Sequence, residues 1–342
     1  MRFAFVILAV AAQIAALAVM AGQREYVLAN GEVVHLRTAP IDPRDIFRGD
    51  YVSLNYEAAW IASEMWQGDG EAKRIPSGEK VYAALGRDAG GLAVVESLGE
   101  APPETGPYIA GRVIGAFVPR QRHGVIQVKY GIERYFVQQG RGLEIEARRG
   151  DRDEVQVPME VAVALGPGGV SVIKDYRWSR LGVLLEVVRA PERQRQDGTV
   201  ADPGAPLSPK LRVTLKNVSD APLAVADPGP HCGFELLGVR HWARQTYEPV
   251  DRGCAVAGVG AEDVHVLQPG ESYAAEIDLS EPEWYVTAGG KTDEVGKLAQ
   301  WDRFRLVYNA PDPARLAVPD LAGKLWLGSL PSRAFNAAGF VD

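Results

Sequence analysis

A charged turn runs directly into a β-strand pattern in the stretch Arg44-Asp45-Ile46-Phe47-Arg48-Gly49-Asp50-Tyr51-Val52-Ser53-Leu54-Asn55-Tyr56. Glycine accepts a positive φ, and an aspartate carboxylate can accept hydrogen bonds from nearby backbone amides, so Gly49-Asp50 is typical of a turn. The side chains that follow alternate in character. This alternation predicts a strand with one face in the core, formed by Val52, Leu54 and Tyr56, and the other face in solvent.

Charged residues of both signs are concentrated at this turn and allow two interpretations. In the first, they form charge-assisted hydrogen bonds with one another and stabilise the loop. In the second, they belong to a recognition surface on which Tyr51 and Tyr56 anchor a partner and Arg44 or Arg48 binds a carboxylate. The charged residues concerned are Asp42, Arg44, Asp45, Arg48 and Asp50.

A second block lies downstream, at Tyr130-Gly131-Ile132-Glu133-Arg134-Tyr135-Phe136-Val137 and Gly140-Arg141-Gly142. Together with Asp42-Pro43-Arg44-Asp45 and the octet from Gly49 to Tyr56, this block resembles the GDYxxLxY family of bacterial membrane-anchored proteins. Gln138-Gln139 stands where that family is expected to have a Pro-Glu pair. The resemblance covers about residues 1 to 175. It implies an envelope location, but it brings no established activity and no catalytic residues.

The second block has the same two interpretations as the first. Aromatic side chains that flank an ion pair can complete a β core or can bind a partner. The candidate binding residues in this block are Glu133, Arg134 and Tyr135, with Phe136 beside them.

Composition limits the classes of function. The chain has 342 residues, 46% hydrophobic and 24% charged, which is enough for two cores. Lys and Arg number 37 against 44 Asp and Glu, for a net charge of −7. With no basic run to follow a phosphate backbone, nucleic acid is not expected as a partner.

The N-terminus predicts a membrane anchor. From Phe3 to Gly22 the one strongly polar side chain is Gln13, and about 20 helical residues span a hydrocarbon core. Arg2 and the α-amino group precede this segment, which favours a cytoplasmic N-terminus with the bulk of the chain periplasmic or extracytoplasmic. A cleaved signal peptide, with a small-residue site at Ala16-Leu17-Ala18, is the alternative, and a buried core helix is a third interpretation.

The remainder of the chain is predicted to be mainly β. Many short alternating segments are separated by Gly and Pro turns, which indicates a sandwich or barrel, with one short helix at Ala58–Met65. We divide the chain into a transmembrane anchor (1–23), a β domain of the GDYxxLxY type (24–177) and a second β domain (178–342). The second domain is predicted to be an immunoglobulin-like sandwich, from its strand-and-turn pattern.

The cysteines and histidines predict a disulfide and no metal site. Cys232 and Cys254 are the two cysteines of the chain, and an exported chain meets an oxidising compartment. His231 and His241 lie near them, but the spacing is poor for zinc. We therefore expect a Cys232–Cys254 bridge and no cofactor.

No familiar catalytic motif of a hydrolase or nucleotide enzyme is present in the sequence. We therefore predict a membrane-anchored binding or accessory protein whose partner is another membrane or envelope protein, with no catalytic residues. The alternative is an envelope hydrolase acting on peptide or glycan, with Asp45, Asp50 or Glu133 as acid or base.

Overall fold

The structure is a computed structural model, and it describes residues 2–39, 51–68, 74–119, 124–138, 140–150, 153–191, 206–239, 246–256 and 258–342. The predicted fold class is confirmed: the chain is mainly β and begins with one apolar helix. Below, the N-terminal half means the described residues up to Trp178 and the C-terminal half those from Leu181 onward.

Helix α1 spans Arg2–Asn30, and a second helix, α2, spans Arg141–Arg149. The strands of the N-terminal half are β1 (Glu32–Arg37), β2 (Tyr51–Ser53), β3 (Trp60–Ala62), β4 (Lys80–Arg87), β5 (Ala93–Gly99), β6 (Tyr108–Ile114), β7 (Val125–Lys129), β8 (Arg134–Phe136), β9 (Met159–Leu165) and β10 (Ser171–Trp178). The strands of the C-terminal half are β11 (Leu181–Arg189), β12 (Lys210–Asn217), β13 (Leu223–Ala226), β14 (Phe234–Gly238), β15 (Glu248–Pro249), β16 (Val264–Leu267), β17 (Ser272–Asp278), β18 (Val286–Ala288), β19 (Lys291–Asp293), β20 (Arg303–Asn309), β21 (Ser329–Pro331) and β22 (Phe335–Asn336).

The N-terminal half contains three antiparallel sheets. A five-stranded sheet has the order β3-β7-β6-β4-β5, a three-stranded sheet has the order β1-β9-β10, and β2 pairs with β8. Their inward-facing side chains form one hydrophobic cluster, against which the partly buried Trp178 packs. The core therefore lies between the sheets, which explains the alternation of apolar residues along the strands.

The C-terminal half has a core of its own, which begins at Leu181. Its sheets have the orders β11-β12-β17, β13-β16, β15-β18-β19 and β14-β20-β21, and β22 also pairs with β20. This half is β-rich as predicted. The immunoglobulin-like arrangement stays a prediction.

The two halves meet through backbone and side-chain contacts. Gln156 and Val183 exchange backbone hydrogen bonds of 2.7 and 2.9 Å. Arg37, on the last position of β1, donates to the carbonyl of Ser329. Near this contact, burial raises the pKa of Glu57, whereas the guanidinium groups of Arg37 and Arg305 lower it. Glu57 of the N-terminal half therefore interacts electrostatically with Arg305 of the C-terminal half.

Helix α1 is long and apolar enough to cross a membrane, with a mean hydropathy of 2.4 over its most apolar window. It continues past the predicted end of the anchor to Asn30 and leads directly into β1. Val27 is buried there against Ala164 and Val172. A Cβ atom at Gly166 would overlap the Val27 side chain, so this close approach requires glycine.

One local prediction was wrong, and one helix was not predicted. The segment expected to be a helix at Ala58–Met65 contains strand β3 between two short 3₁₀ turns, because Trp60 to Ala62 pair with β7. Helix α2 was not predicted, although its residues include good helix formers. Its buried Ile145 docks it onto the core, and tertiary packing of this kind decides the state of a short segment.

Candidate functional site

The two sequence blocks that suggested a family are physical partners. Strand β2 pairs antiparallel with β8, so Tyr51 lies opposite Phe136, Val52 opposite Tyr135 and Ser53 opposite Arg134. The pairing continues one step beyond the strand, where the Leu54 amide donates to the Glu133 carbonyl at 2.8 Å. We call this unit the β2–β8 ribbon.

The inner side of the ribbon has the burial that the alternation predicted. Val52, Leu54 and Tyr56 are all buried in the core of the N-terminal half. The Tyr56 hydroxyl donates to the Ile132 carbonyl at 2.9 Å, and burial raises the pKa of this phenol far above its ordinary value. Tyr56 therefore remains a protonated donor inside the core. This position leaves it no route to a partner, and we exclude it from the candidate binding surface.

Glu133 closes the turn that precedes β8. Its carboxylate accepts hydrogen bonds from the Tyr130 amide at 2.5 Å and from the Gly131 amide at 3.0 Å. Gly131 has a φ of 83°, which glycine adopts without strain. The Tyr130 hydroxyl donates in turn to the Ala58 carbonyl at 2.6 Å. Glu133 thus stabilises a turn, and its carboxylate is already engaged by backbone amides.

Tyr135 begins an aromatic series beside α2. Its ring lies 5.5 Å from that of Tyr176, which lies 6.0 Å from that of Trp178, both in edge contacts. The guanidinium of Arg148 lies 5.4 Å from the centre of the Trp178 ring. Burial raises the pKa of Tyr135, with a smaller contribution from Tyr176. These half-buried rings attach α2 to the edge of the β sheet.

The outer side of the ribbon carries an exposed patch, the outer ribbon patch, formed by Tyr51, Arg134 and Phe136. Phe136 is 72% exposed, and its ring lies 5.9 Å from that of Tyr51. The Arg134 guanidinium lies 5.3 Å from the centre of the Tyr51 ring. Aromatic and arginine side chains dominate the energetic centres of protein interfaces. Of the predicted binding residues, Tyr51 and Arg134 come together here.

The other predicted binding residues, Arg44, Asp45, Arg48 and Asp50, lie outside the described residues. Their two interpretations therefore both stay predictions. The same holds for Asp45 and Asp50 as the acid or base of a hydrolase.

Cys232 and Cys254 are joined in a disulfide with Cα atoms 5.3 Å apart, as the sequence predicted. Among the described residues, no group of three or more His, Cys, Asp or Glu side chains is arranged to hold a metal ion. His231 instead contacts Asp227 through Nδ1 at 2.8 Å.

A cavity of about 410 Å³ opens beside the disulfide, and we call it the C-terminal cavity. Its walls come from the start of β14, the disulfide, the 3₁₀ turn at Pro282–Trp284 and the segment that follows β20. Sequence reasoning missed this feature, because its lining residues are spread between Pro228 and Arg315 and form no motif. The sequence signals available for it were Trp284, two residues after Pro282, and Arg252, two residues before Cys254.

Comparison with known proteins gives one match. Neither a search of curated proteins nor a search of solved structures found a similar protein. The model of the GDYXXLXY protein family matches residues 13–175, a range that contains both blocks of the β2–β8 ribbon. This match confirms the resemblance to the GDYXXLXY protein family that the sequence predicted for the N-terminal half.

Proposed function

We propose that this chain is a single-pass protein of the bacterial inner membrane whose extracytoplasmic β-rich part binds another membrane or envelope protein and acts as its accessory. The observation that carries the proposal is the junction of α1 with the sheet. Gly31 alone separates the helix from β1, and Val27 is buried against the β9–β10 hairpin.

This junction restricts where a partner can be met. If the bilayer covers the apolar segment up to Gly22, the helical residues from Gln23 to Asn30 extend about 12 Å beyond it. The β-rich part is then held close to the membrane in a set orientation, because helix and sheet share a packed contact. Such an arrangement suits a partner that is itself in the membrane or lies against it.

The outer ribbon patch is the surface that supports binding best. Phe136 offers a large apolar side chain to a pocket, and Arg134 can bind a carboxylate on the rim of that pocket while it stacks on Tyr51. The same patch contains Tyr51 and Arg134, two of the predicted binding residues that the structure describes.

Topology is tested first. A reporter that is active only in the periplasm, fused after Asp342, should be active, and intact mass should show a chain that starts at Met1. A mature chain that starts near Val19 would show a cleaved signal peptide, and an inactive reporter would place the β-rich part in the cytoplasm.

Binding is tested in cells with a photoreactive phenylalanine analogue at position 136, and with the same analogue at Ile114 as the control. Ile114 is also exposed, at 44%, and lies on a strand outside the ribbon. A covalent adduct with one membrane or envelope protein is expected from position 136 alone, and Arg134→Ala should reduce its yield. Equal adducts from both positions, or none from position 136, would contradict the assignment of this patch.

A further inference from the structure

The C-terminal cavity has the size and the mixed lining of a ligand site. At about 410 Å³ it lies within the roughly 300–1,000 Å³ range of small-molecule pockets. Apolar side chains line part of its wall, and they include Phe234, Leu236, Pro249 and Trp284. Phe234, Leu236 and Trp284 are buried in the core of the C-terminal half, so this part of the wall is continuous with the core.

The cavity wall is held rigid by a covalent bond and by an arginine. The Cys232–Cys254 disulfide joins two segments of the lining. Arg252 donates to the carbonyls of Pro230 and His231 at 3.1 Å each and also to the carbonyl of Phe234. Its guanidinium lies 4.1 Å from the centre of the Trp284 ring. A preorganised wall lowers the entropic cost of binding a ligand.

The charge balance of the lining is negative. The lining has two guanidinium groups, those of Arg252 and Arg315, and a larger number of carboxylates. Both arginines donate hydrogen bonds to backbone carbonyls, Arg315 to the carbonyl of Cys254 at 2.9 Å. Burial lowers the pKa of Arg252, while Asp227, Glu283 and Glu235 raise it. The carboxylates that line the cavity are Glu235, Asp251, Glu283 and Asp312.

We propose that the C-terminal cavity binds an organic cation, an alkylammonium or guanidinium group on an apolar stem. The apolar wall suits the stem, and the carboxylates stabilise the positive head. The side chain of Lys or Arg in a peptide and a free aliphatic amine share this chemistry. The site is independent of the proposed membrane partner.

Calorimetric titration of the full chain in dodecyl maltoside tests the proposal, since this detergent has an uncharged headgroup. The probes are Nα-acetyl-lysine amide, its neutral Nε-acetylated form, a Gly-Lys-Gly peptide with blocked ends and 1,5-diaminopentane. Saturable binding of the charged probes is expected, with loss on Nε-acetylation. Tighter binding of the peptide than of the diamine would identify a peptide as the source, and the reverse order a free amine.

Variants locate the binding site. Glu283→Gln and Glu235→Gln should each weaken binding about fivefold, the effect of removing one unit charge at about 4 Å in a water-like dielectric. Glu262→Gln, which removes an exposed carboxylate outside the cavity lining, should leave the affinity unchanged. Equal losses in all three variants would assign the effect to net charge and overturn the proposal.

A second measurement on the unmodified protein keeps the proposal testable if a variant does not fold. Binding of tetraethylammonium, whose charge does not depend on pH, should weaken as the pH falls through the carboxyl range near about 4. Equally tight binding of the neutral Nε-acetylated probe, or no saturable binding of any cation up to about 10 mM, would overturn the proposal.

Discussion

The hydroxyl of Tyr56 offers a sharp test of how the family motif stabilises the fold. Tyr56 is fully buried, and its hydroxyl donates to the buried carbonyl of Ile132 at 2.9 Å. Tyr56→Phe keeps the ring and its packing but leaves that carbonyl without this donor. A buried polar group left unsatisfied costs about 1–3 kcal/mol. We therefore expect the free energy of unfolding of the N-terminal half to fall by about that amount.

The matched control is Tyr51→Phe, which removes the same atom from the same motif at a partly exposed position. Tyr51 contributes its ring to contacts with Phe136 and Arg134, and the substitution preserves that ring. A surface change of this kind alters stability by less than about 0.5 kcal/mol.

The assay is native-state hydrogen exchange of the β3 and β7 amides in the detergent-solubilised full chain, because it reports the N-terminal half separately from the C-terminal half. Urea unfolding with an unchanged slope would show that the denatured state is the same in both variants. Equal stability of Tyr56→Phe and the parent, or equal losses in the two variants, would refute the reasoning.

Three further predictions concern the turn, the junction and the disulfide. Glu133→Gln replaces the charged acceptor of the hydrogen bonds that close the turn, and it should lower the free energy of unfolding in urea by about 1 kcal/mol. An unchanged free energy of unfolding would show that the carboxylate does not stabilise the turn. Burial raises the pKa of Glu57 above its ordinary 4.5. The native state therefore keeps the Glu57 proton to a higher pH than the unfolded state does, and the stability that Glu57 contributes falls as the pH rises above about 4.5. Glu57→Gln should remove this slope, and a parallel pH dependence in parent and variant would contradict it. Reduction of the Cys232–Cys254 bond should lower the unfolding free energy of the C-terminal half by about 3 kcal/mol in the chain-entropy model, and thiols that react without reductant would contradict the bond.

Much of the N-terminal architecture follows from local sequence. The apolar run from Phe3 to Gly22 predicts a helix, because its length matches a hydrocarbon core and it contains no charge. The alternation of Val52, Leu54 and Tyr56 predicts their shared burial, because a strand places alternate side chains on one face. The pairing of the two cysteines also follows, because the chain has no other thiol.

Pairing between distant segments was decided by the tertiary structure. Nothing local in Tyr51–Ser53 specifies Arg134–Phe136 as its partner, and the outer ribbon patch exists only because these strands lie side by side. Trp60 to Ala62 became a strand for the same reason, since the edge of β7 satisfies their backbone hydrogen bonds.

The C-terminal cavity and the junction between the halves also depend on the complete fold. The cavity combines loops that are separated by many strands, and its negative charge balance arises because folding brings more carboxylates than guanidinium groups to one wall. Sequence patterns report periodicity within a segment, whereas the position of a segment in space depends on packing over the whole chain. The sequence by itself therefore determined the apolar N-terminal helix, the β class and the disulfide, and the tertiary structure decided which side chains meet.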